Sequence, residues 1–341
     1  EEDIARQYLN AVDVALGGGT RFFSPDERSD RRDLYGEYRA AGYQVCTTRD
    51  ELMRAWASAS ADSKLLGCFS RGHMPYTIDE MYQTAEARRV PTLAEMTRIA
   101  LQRLSQHDDG FLLQIEGGRV DHAAHANDAA AMLREQLAFD DAIGEVLAHL
   151  RNHPETLVVT TTDHGNSNPG LNGMGGGYRD STACFTRLGQ IRASFVTIHR
   201  ALREAAGGST PSLDAVIDAV WRHTAIVIGP DEAEAIAHVI GGEPFEDLNR
   251  QHRSIVGALG QTIGNHTGIG WTGTTHTSDL ALTLAFGPGS GRLDMLMHHT
   301  DVYGILTSLM GIDHVNPSMT EEAAKRYAAR ADRPALEAYA V

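Results

Sequence analysis

The feature that most constrains this chain is a repeated switch between short apolar runs and helical periodicity over its first hundred residues. A helix-like stretch at 3–11 leads into Val12-Asp13-Val14-Ala15-Leu16, which reads as a strand ending in Gly17-Gly18-Gly19. A helix is expected over Asp30 to Ala41, a strand over Tyr43 to Cys46, a helix over Arg49 to Ala57 and a strand over Leu65 to Phe69. Residues 70–90 are polar and turn-rich. Thr92-Leu93-Ala94-Glu95 then fits a capping box that opens a helix with Leu93, Met96, Ala100 and Leu104 on one stripe. Strands separated by helices can pair in parallel because each helix serves as the crossover, so the alternation predicts a largely parallel sheet flanked by helices.

Polar residues gather where strands should end, and in open α/β sheets that edge is where ligands collect. Gly110-Phe111-Leu112-Leu113 reads as a buried strand and is followed by Gln114-Ile115-Glu116-Gly117-Gly118-Arg119-Val120-Asp121-His122-Ala123-Ala124-His125. Asp121 and His125, four apart at a helix start, share one helical face. An oxygen and a nitrogen donor there suit a zinc-like ion, and Glu116 suits a second, harder cation. Alone, the motif is as readily a polar loop with two solvated histidines. After it, Met132, Phe139, Ile143, Val146 and Leu150 recur at helical spacing, and Leu157 to Thr162 forms a β-branched strand ending in Asp163-His164-Gly165. Two carboxylate–imidazole pairs after two strands favour a metal centre over two polar turns.

The third piece is Thr275-His276-Thr277, before the strand Leu280 to Phe286 and the turn Gly287-Pro288-Gly289. His276 is the candidate third protein ligand beside Asp121 and His125, since three ligands and an open position describe a catalytic zinc. His266 reads as loop chemistry, and His298 and His299 as a helix start or subunit contact. Residues 171–273 read as a mostly helical insertion, lid-like or contact-forming, with helices near 195–206, 211–223 and 231–240. Within it Asp180-Ser181-Thr182-Ala183 reads as an ordinary loop, because no base accompanies the serine. From Thr320 a polar, alanine-rich helix is expected on the surface.

A net charge of −15 with no Lys/Arg-rich run excludes nucleic acid and anionic membranes as main partners. No apolar run is long enough to cross a bilayer, so no membrane insertion is expected. Cys46, Cys68 and Cys184 are too few and scattered for a cysteine-based zinc site, though a Cys46–Cys68 bridge is open.

Glu-Gly-Gly-Arg-Val-Asp-His-x-x-His, Thr-Thr-Asp-His-Gly and Thr-His-Thr before a strand ending Gly-Pro-Gly together resemble the alkaline phosphatase family. Leu16-Gly17-Gly18-Gly19 and Pro91-Thr92-Leu93-Ala94-Glu95-Met96 are similar to it too, so the likeness runs through nearly the whole chain. The resemblance implies one α/β domain over 1–341, a three-layer αβα sandwich with a mostly parallel central sheet. It implies a first zinc on Asp121, His125 and His276, a second zinc on Asp163 and His164, and a magnesium on Glu116. His122, beside Asp121, would tune the magnesium site or steady phosphate through water. The implied activity is hydrolysis of small phosphomonoesters through a phosphoserine, in a periplasmic or secreted homodimer.

The sequence departs from the family where the chemistry begins. The Asp-Ser-Ala nucleophile, the metal-bridging aspartate, the magnesium-binding threonine and the phosphate-clamping arginine of the family's early segment have no counterpart here. The chain, starting at Glu1 without methionine or signal peptide, is expected to begin just after that segment, N-terminally incomplete and inactive alone. A non-catalytic metal-binding module is the alternative; a phosphomutase or sulfatase of the same superfamily fits the motif spacing less well.

Overall fold

The computed structural model describes residues 1–57, 64–82, 88–242, 250–314, 320 and 322. The chain divides into two compact units, Glu1–His149 with Pro169–Thr274, and Leu150–Asn168 with Thr275–Val341.

In the first unit, β1 (Val14–Gly17), β2 (Tyr43–Cys46) and β3 (Lys64–Cys68) form a parallel sheet in the order β1-β3-β2. Val14 lies opposite Leu65 and Tyr43 opposite Lys64. The crossovers are the expected helices: α1 (Glu2–Gln7) precedes the sheet, α2 (Leu34–Ala40) joins β1 to β2, and α3 (Arg49–Ala57) joins β2 to β3. Side chains alternate across a strand, so the consecutive leucines of β3 enter different layers. Leu66 packs with Leu34 and Tyr38 of α2, whereas Leu65 packs with Leu52 of α3 and with Met96 and Ile99 further on. The sheet is thereby covered on both faces. Cys68 belongs to the Leu66 cluster and Cys46 to the Leu65 cluster, and all three cysteines are free thiols, so the bridge left open by the sequence does not form. Burial pushes the Cys46 thiol up to about 11 and that of Cys68 to about 12.

A short α4 (Thr77–Glu80) lies in the turn-rich excursion, and α5 (Leu93–Leu104) begins as expected. Thr92 Oγ1 accepts from the Glu95 amide while the Glu95 carboxylate accepts from the Thr92 amide. Arg49 of α3 holds that same carboxylate at 2.6 Å, tying α3 to α5. Next come α6 (Arg119–His125) and the long α7 (Ala129–Leu150). The expected strand at 110–113 is absent: residues 111–117 enter no ladder among the described residues, and Leu112 is exposed. The apolar run has the composition of a strand but finds no neighbour to pair with.

The segment expected to be mostly helical folds as α8 (Ser181–Leu188), α9 (Phe195–Ala206), α10 (Leu213–Thr224), α11 (Pro230–Ile240) and α12 (Ile255–Thr267). Ser181 therefore opens a helix rather than sitting in a loop. His266 closes one, its Nε2 set 3.1 Å from Glu232 of α11. The largest apolar cluster among the described residues is here, with Ile198, Leu202, Val216, Ile236 and Leu259 buried against Ala123, Ala130 and Ala131 of α6 and α7. The small alanines let the helices approach the motif-bearing segment closely.

In the second unit, β4 (Val158–Thr160) pairs antiparallel with β5 (Leu284–Phe286), Val158 opposite Phe286. A two-residue ladder joins Gly165–Asn166 to His276–Thr277, and α13 (His299–Leu309) follows. Both strands are shorter than their apolar runs. His298 caps α13, with Asp301 accepting from its amide, as its reading at a helix start anticipates. The tail helix expected from Thr320 lies outside the described residues except for Thr320 and Glu322.

Candidate functional site

The double glycine before α6 has a steric reason. A Cβ on Gly117 would stand 3.1 Å from the Phe139 side chain on α7, and one on Gly118 would stand 2.7 Å from Glu116 Oε1. Their absence lets this loop lie against α7 and lets Glu116 fold back over it. One helical turn then puts His125 Nε2 3.5 Å from Asp121 Oδ2. Two donors on one tetrahedral cation with bonds of about 2.0–2.1 Å stand roughly 3.3 Å apart, so the spacing fits a shared ion.

His125 is also fixed in tautomer. Its Nδ1 lies 2.7 Å from the Thr274 carbonyl oxygen. A carbonyl only accepts, so Nδ1 carries the hydrogen and the Nε2 lone pair faces Asp121. Asn127 steadies the same segment. Buried and at φ 52°, it donates from Nδ2 to the carbonyls of Ala124 and Gly273, at 3.1 and 2.8 Å. A Cβ on Gly260 of α12 would come within 2.5 Å of the Asn127 Cβ, so glycine is what admits this corner.

His122 has the opposite tautomer. Arg119, one turn earlier, sets its Nη1 2.9 Å from His122 Nδ1, which must accept because a guanidinium only donates. Arg119 also stacks over Tyr76 at 3.7 Å, and His73 meets the His122 ring edge-on at 4.4 Å. Burial first, then the charge of Arg119 and the neighbouring His73, push His122 down to about 4. Burial likewise lowers His73, with Arg119 assisting. The imidazoles here are held neutral, the form that donates a lone pair. Sequence reading missed Arg119, Tyr76, His73 and Thr274; the i, i+3 spacing of Arg119 and His122 was the available signal.

Two acids hold the helical layer to this region. Asp128 accepts from the amides of Ala131 at 3.0 Å and Phe195 at 2.6 Å. Asp79 accepts from the amide and hydroxyl of Ser194. Burial pushes the Asp128 carboxyl up to about 7 against those amides, which favour the anion.

In the second unit, Asp163 Oδ2 lies 3.2 Å from His164 Nε2, while His164 Nδ1 faces the Gly165 carbonyl at 3.3 Å. The side-chain lone pair is again turned toward a carboxylate. The His276 ring stacks on His164, centroids 3.5 Å apart and planes 20° from parallel. A Cβ on Gly165 would meet Thr277 Oγ1 at 2.5 Å, so glycine permits the ladder that brings His276 alongside. The structure thus joins Asp121 with His125 in one unit, and Asp163, His164 and His276 in the other. Glu116 sits exposed in the loop before α6.

A family model described as alkaline phosphatase matches residues 1–312. The alkaline phosphatase of Thermus thermophilus superposes with a TM-score of 0.84 at 34% identity, over 96% of this chain and 69% of that one. A cold-active alkaline phosphatase from a psychrophilic Shewanella gives a TM-score of 0.69 at 28% identity, over 91% of this chain and 68% of that one. Alkaline phosphatase 4 of Bacillus subtilis is 25% identical over 318 residues, 91% of this chain but 61% of that protein. The α/β architecture expected from the strand–helix alternation is the one these structures share.

Proposed function

Because this chain belongs to the alkaline phosphatase family, we propose that it carries the metal-binding part of a phosphomonoester hydrolase. Asp121, His125 and His276 would hold one zinc, Asp163 and His164 would contribute to a second, and Glu116 would serve a magnesium. The observation that carries this reading is His125: its Nδ1 hydrogen is committed to Thr274, and its Nε2 stands beside Asp121 at a coordination-edge distance. A histidine that turns its spare N–H to a backbone carbonyl is oriented as metal-bound histidines are. His164 repeats the arrangement against Gly165, which supports the second set. His276 follows Thr274 by only two residues, so chain connectivity ties it to the carbonyl that His125 binds.

Bound there, divalent ions would supply neutralising charge to the attacking and leaving oxygens of a phosphoryl transfer. The chain's own residues orient the donors and keep the nearby imidazoles uncharged. Arg119 fixes the His122 ring, which supports a role for His122 beside the magnesium or, through water, beside phosphate. The phosphoserine step needs a serine nucleophile, a bridging aspartate and an arginine clamp, and this sequence contains none of those motifs. These 341 residues are therefore expected to bind metal without turning over substrate, since most transition-state stabilisation is lost with the clamp. The substrate of the completed site is a small phosphomonoester, and the assembly a homodimer outside the cytoplasm. No described helix is long and apolar enough to cross a membrane.

Metal analysis of the wild type and of His276→Ala tests the reading. The variant is expected to lose about one zinc per chain, since one of three protein ligands is gone. Unchanged stoichiometry removes His276 from the site. With zinc and magnesium added, aryl phosphate hydrolysis by the wild-type chain is expected to stay at solution background, and robust turnover refutes the assigned inactivity.

A further inference from the structure

In the first unit the chain leaves β1 and β3 side by side, at the carboxyl edge of the parallel sheet where α/β folds collect ligands. Backbone bonds zip the two exits together. The amides of Gly19 and Thr20 both donate to the Ser70 carbonyl at 2.9 Å, and that of Arg21 donates to the Arg71 carbonyl at 3.4 Å. Glycine at 18 allows the approach, since a Cβ there would stand 2.0 Å from the Gly72 carbonyl oxygen. Arg21 and His73 are thereby held on neighbouring loops. His73 meets the His122 ring at 4.4 Å, and His122 is the ring that Arg119 holds from α6. Two guanidiniums from distant parts of the sequence are thus gathered about one imidazole. Burial first, then the charges of Arg119 and Arg21, lower His73, while Glu1 and Glu116 pull it the other way with less effect.

These two arginines differ from others nearby in having no acid to hold. Arg71, on the same loop as His73, is paired with Glu27, and Arg28 with Asp30. Arg21 and Arg119 form no ion pair among the described residues, and the Nε of each is buried without a hydrogen-bond partner. Arg119 spends Nη1 on His122 and sits over Tyr76 at 3.7 Å, while Arg21 sits over Phe22 at 4.7 Å. The acids near Arg119 are engaged elsewhere: Glu135 accepts from the Thr77 amide at 2.5 Å, and Asp121 faces His125. Both arginines are partly exposed, so a ligand can reach them. In a chain of net charge −15, unpaired cations at a strand-exit edge are not a product of composition. We propose that Arg21 and Arg119, with His73 beside them, form a binding site for a phosphate-class oxyanion, separate from the candidate metal ligands. Planar guanidiniums hold tetrahedral oxyanions through paired N–H donors, and a neutral imidazole offers one N–H more. The site needs no bound cation, so it stands or falls apart from the metal reading. It takes free phosphate or a phosphate group carried on an organic molecule.

Titration calorimetry of the full 341-residue chain, kept metal-free with a chelator at low ionic strength, tests the site with inorganic phosphate and phenyl phosphate as probes. Saturable binding of about one inorganic phosphate per chain is expected, and Arg21→Met and Arg119→Met should each weaken it at least about tenfold by removing charge-assisted hydrogen bonds. Arg119→Lys keeps the charge without the planar fork and should fall between wild type and Arg119→Met. Arg222→Met, on α10 where Arg222 is exposed and paired with Asp218 at 2.7 Å, should bind as wild type does. Phenyl phosphate binding with the same arginine dependence supports the site and extends it to substrate-borne phosphate; binding of inorganic phosphate alone supports it for the free ion. Circular dichroism checks that each variant keeps the wild-type helix content, and since Arg21 and Arg119 lie on separate elements, misfolding of one variant leaves the other to decide. The proposal is overturned if the metal-free wild-type chain binds no phosphate, if a folded Arg21→Met or Arg119→Met variant binds as tightly as wild type, or if Arg222→Met loses as much. Metal stoichiometry enters none of these outcomes, so a failed anion site and a failed metal site are separate results.

Discussion

In the first unit, Leu65 and Leu66 of β3 face opposite layers, and each is wholly buried beneath helices that the neighbouring sequence supplies. In the second, Leu280, Leu282 and Leu284 recur at every second position and remain in solvent, with only Leu284 inside the strand. Both runs have the apolar composition of a strand. The difference lies in the connections: β1, β2 and β3 are joined by helices that return across the sheet, whereas β4 and β5 meet through an antiparallel ladder and carry no such cover among the described residues. Alternation in a sequence thus specifies a strand and its two faces, but the covering layer must come from another stretch of polypeptide.

Truncating one leucine on each side gives the sharpest contrast. Leu202→Ala, in the fully buried row of α9, should cost about 2–5 kcal/mol in urea unfolding, while Leu282→Ala should stay within about 0.5 kcal/mol. Comparable losses would mean the second unit is as well packed as the first. Asn127→Ala tests the corner that aligns His125 with Thr274. It removes two hydrogen bonds and asks a Cβ residue without a polar side chain to keep a positive φ, for a loss of about 1–3 kcal/mol and weaker zinc binding. Zinc affinity equal to wild type would show that the corner does not position the donors.

The smallest expected effect is in pH. Asp128 has its folded pKa raised above its unfolded value, so the stability it contributes is fully present below about pH 4 and is lost as pH rises through about 7. Asp128→Asn has no proton to lose. The stability gap between wild type and Asp128→Asn should therefore narrow between pH 5 and pH 8, as monitored by urea unfolding. A gap that widens would mean that the amides of Ala131 and Phe195 outweigh burial and hold the carboxylate ionised.

Much of the first unit was legible because its signals are local. The capping box at Thr92, the crossover helices and the Asp121–His125 spacing all depend on residues within one or two turns. Helix α12 was not, because Gly257, Gly260 and Gly264 lower its propensity. Close packing explains all three: a Cβ on Gly257 would stand 2.0 Å from the Gln251 carbonyl oxygen, one on Gly260 would strike Asn127, and one on Gly264 would stand 2.5 Å from the Ile269 carbonyl oxygen. Gly110 to Leu113 misled in the opposite direction, with strand composition and no ladder. At the candidate site, residue types at strand exits pointed to metal chemistry. The tautomers of His125, His122 and His164 depend on a carbonyl 149 residues away, on Arg119 and on Gly165, and so required coordinates.

Whether Asp121, His125 and His276 share one cation, as proposed, is decided by cobalt(II) substitution. Cobalt bound by three protein ligands in a four-coordinate site absorbs strongly in the visible, whereas six-coordinate cobalt absorbs weakly. The wild-type chain is expected to develop the strong bands at one equivalent, and both His125→Ala and His276→Ala should abolish them. Strong bands that persist in His276→Ala would contradict the assignment.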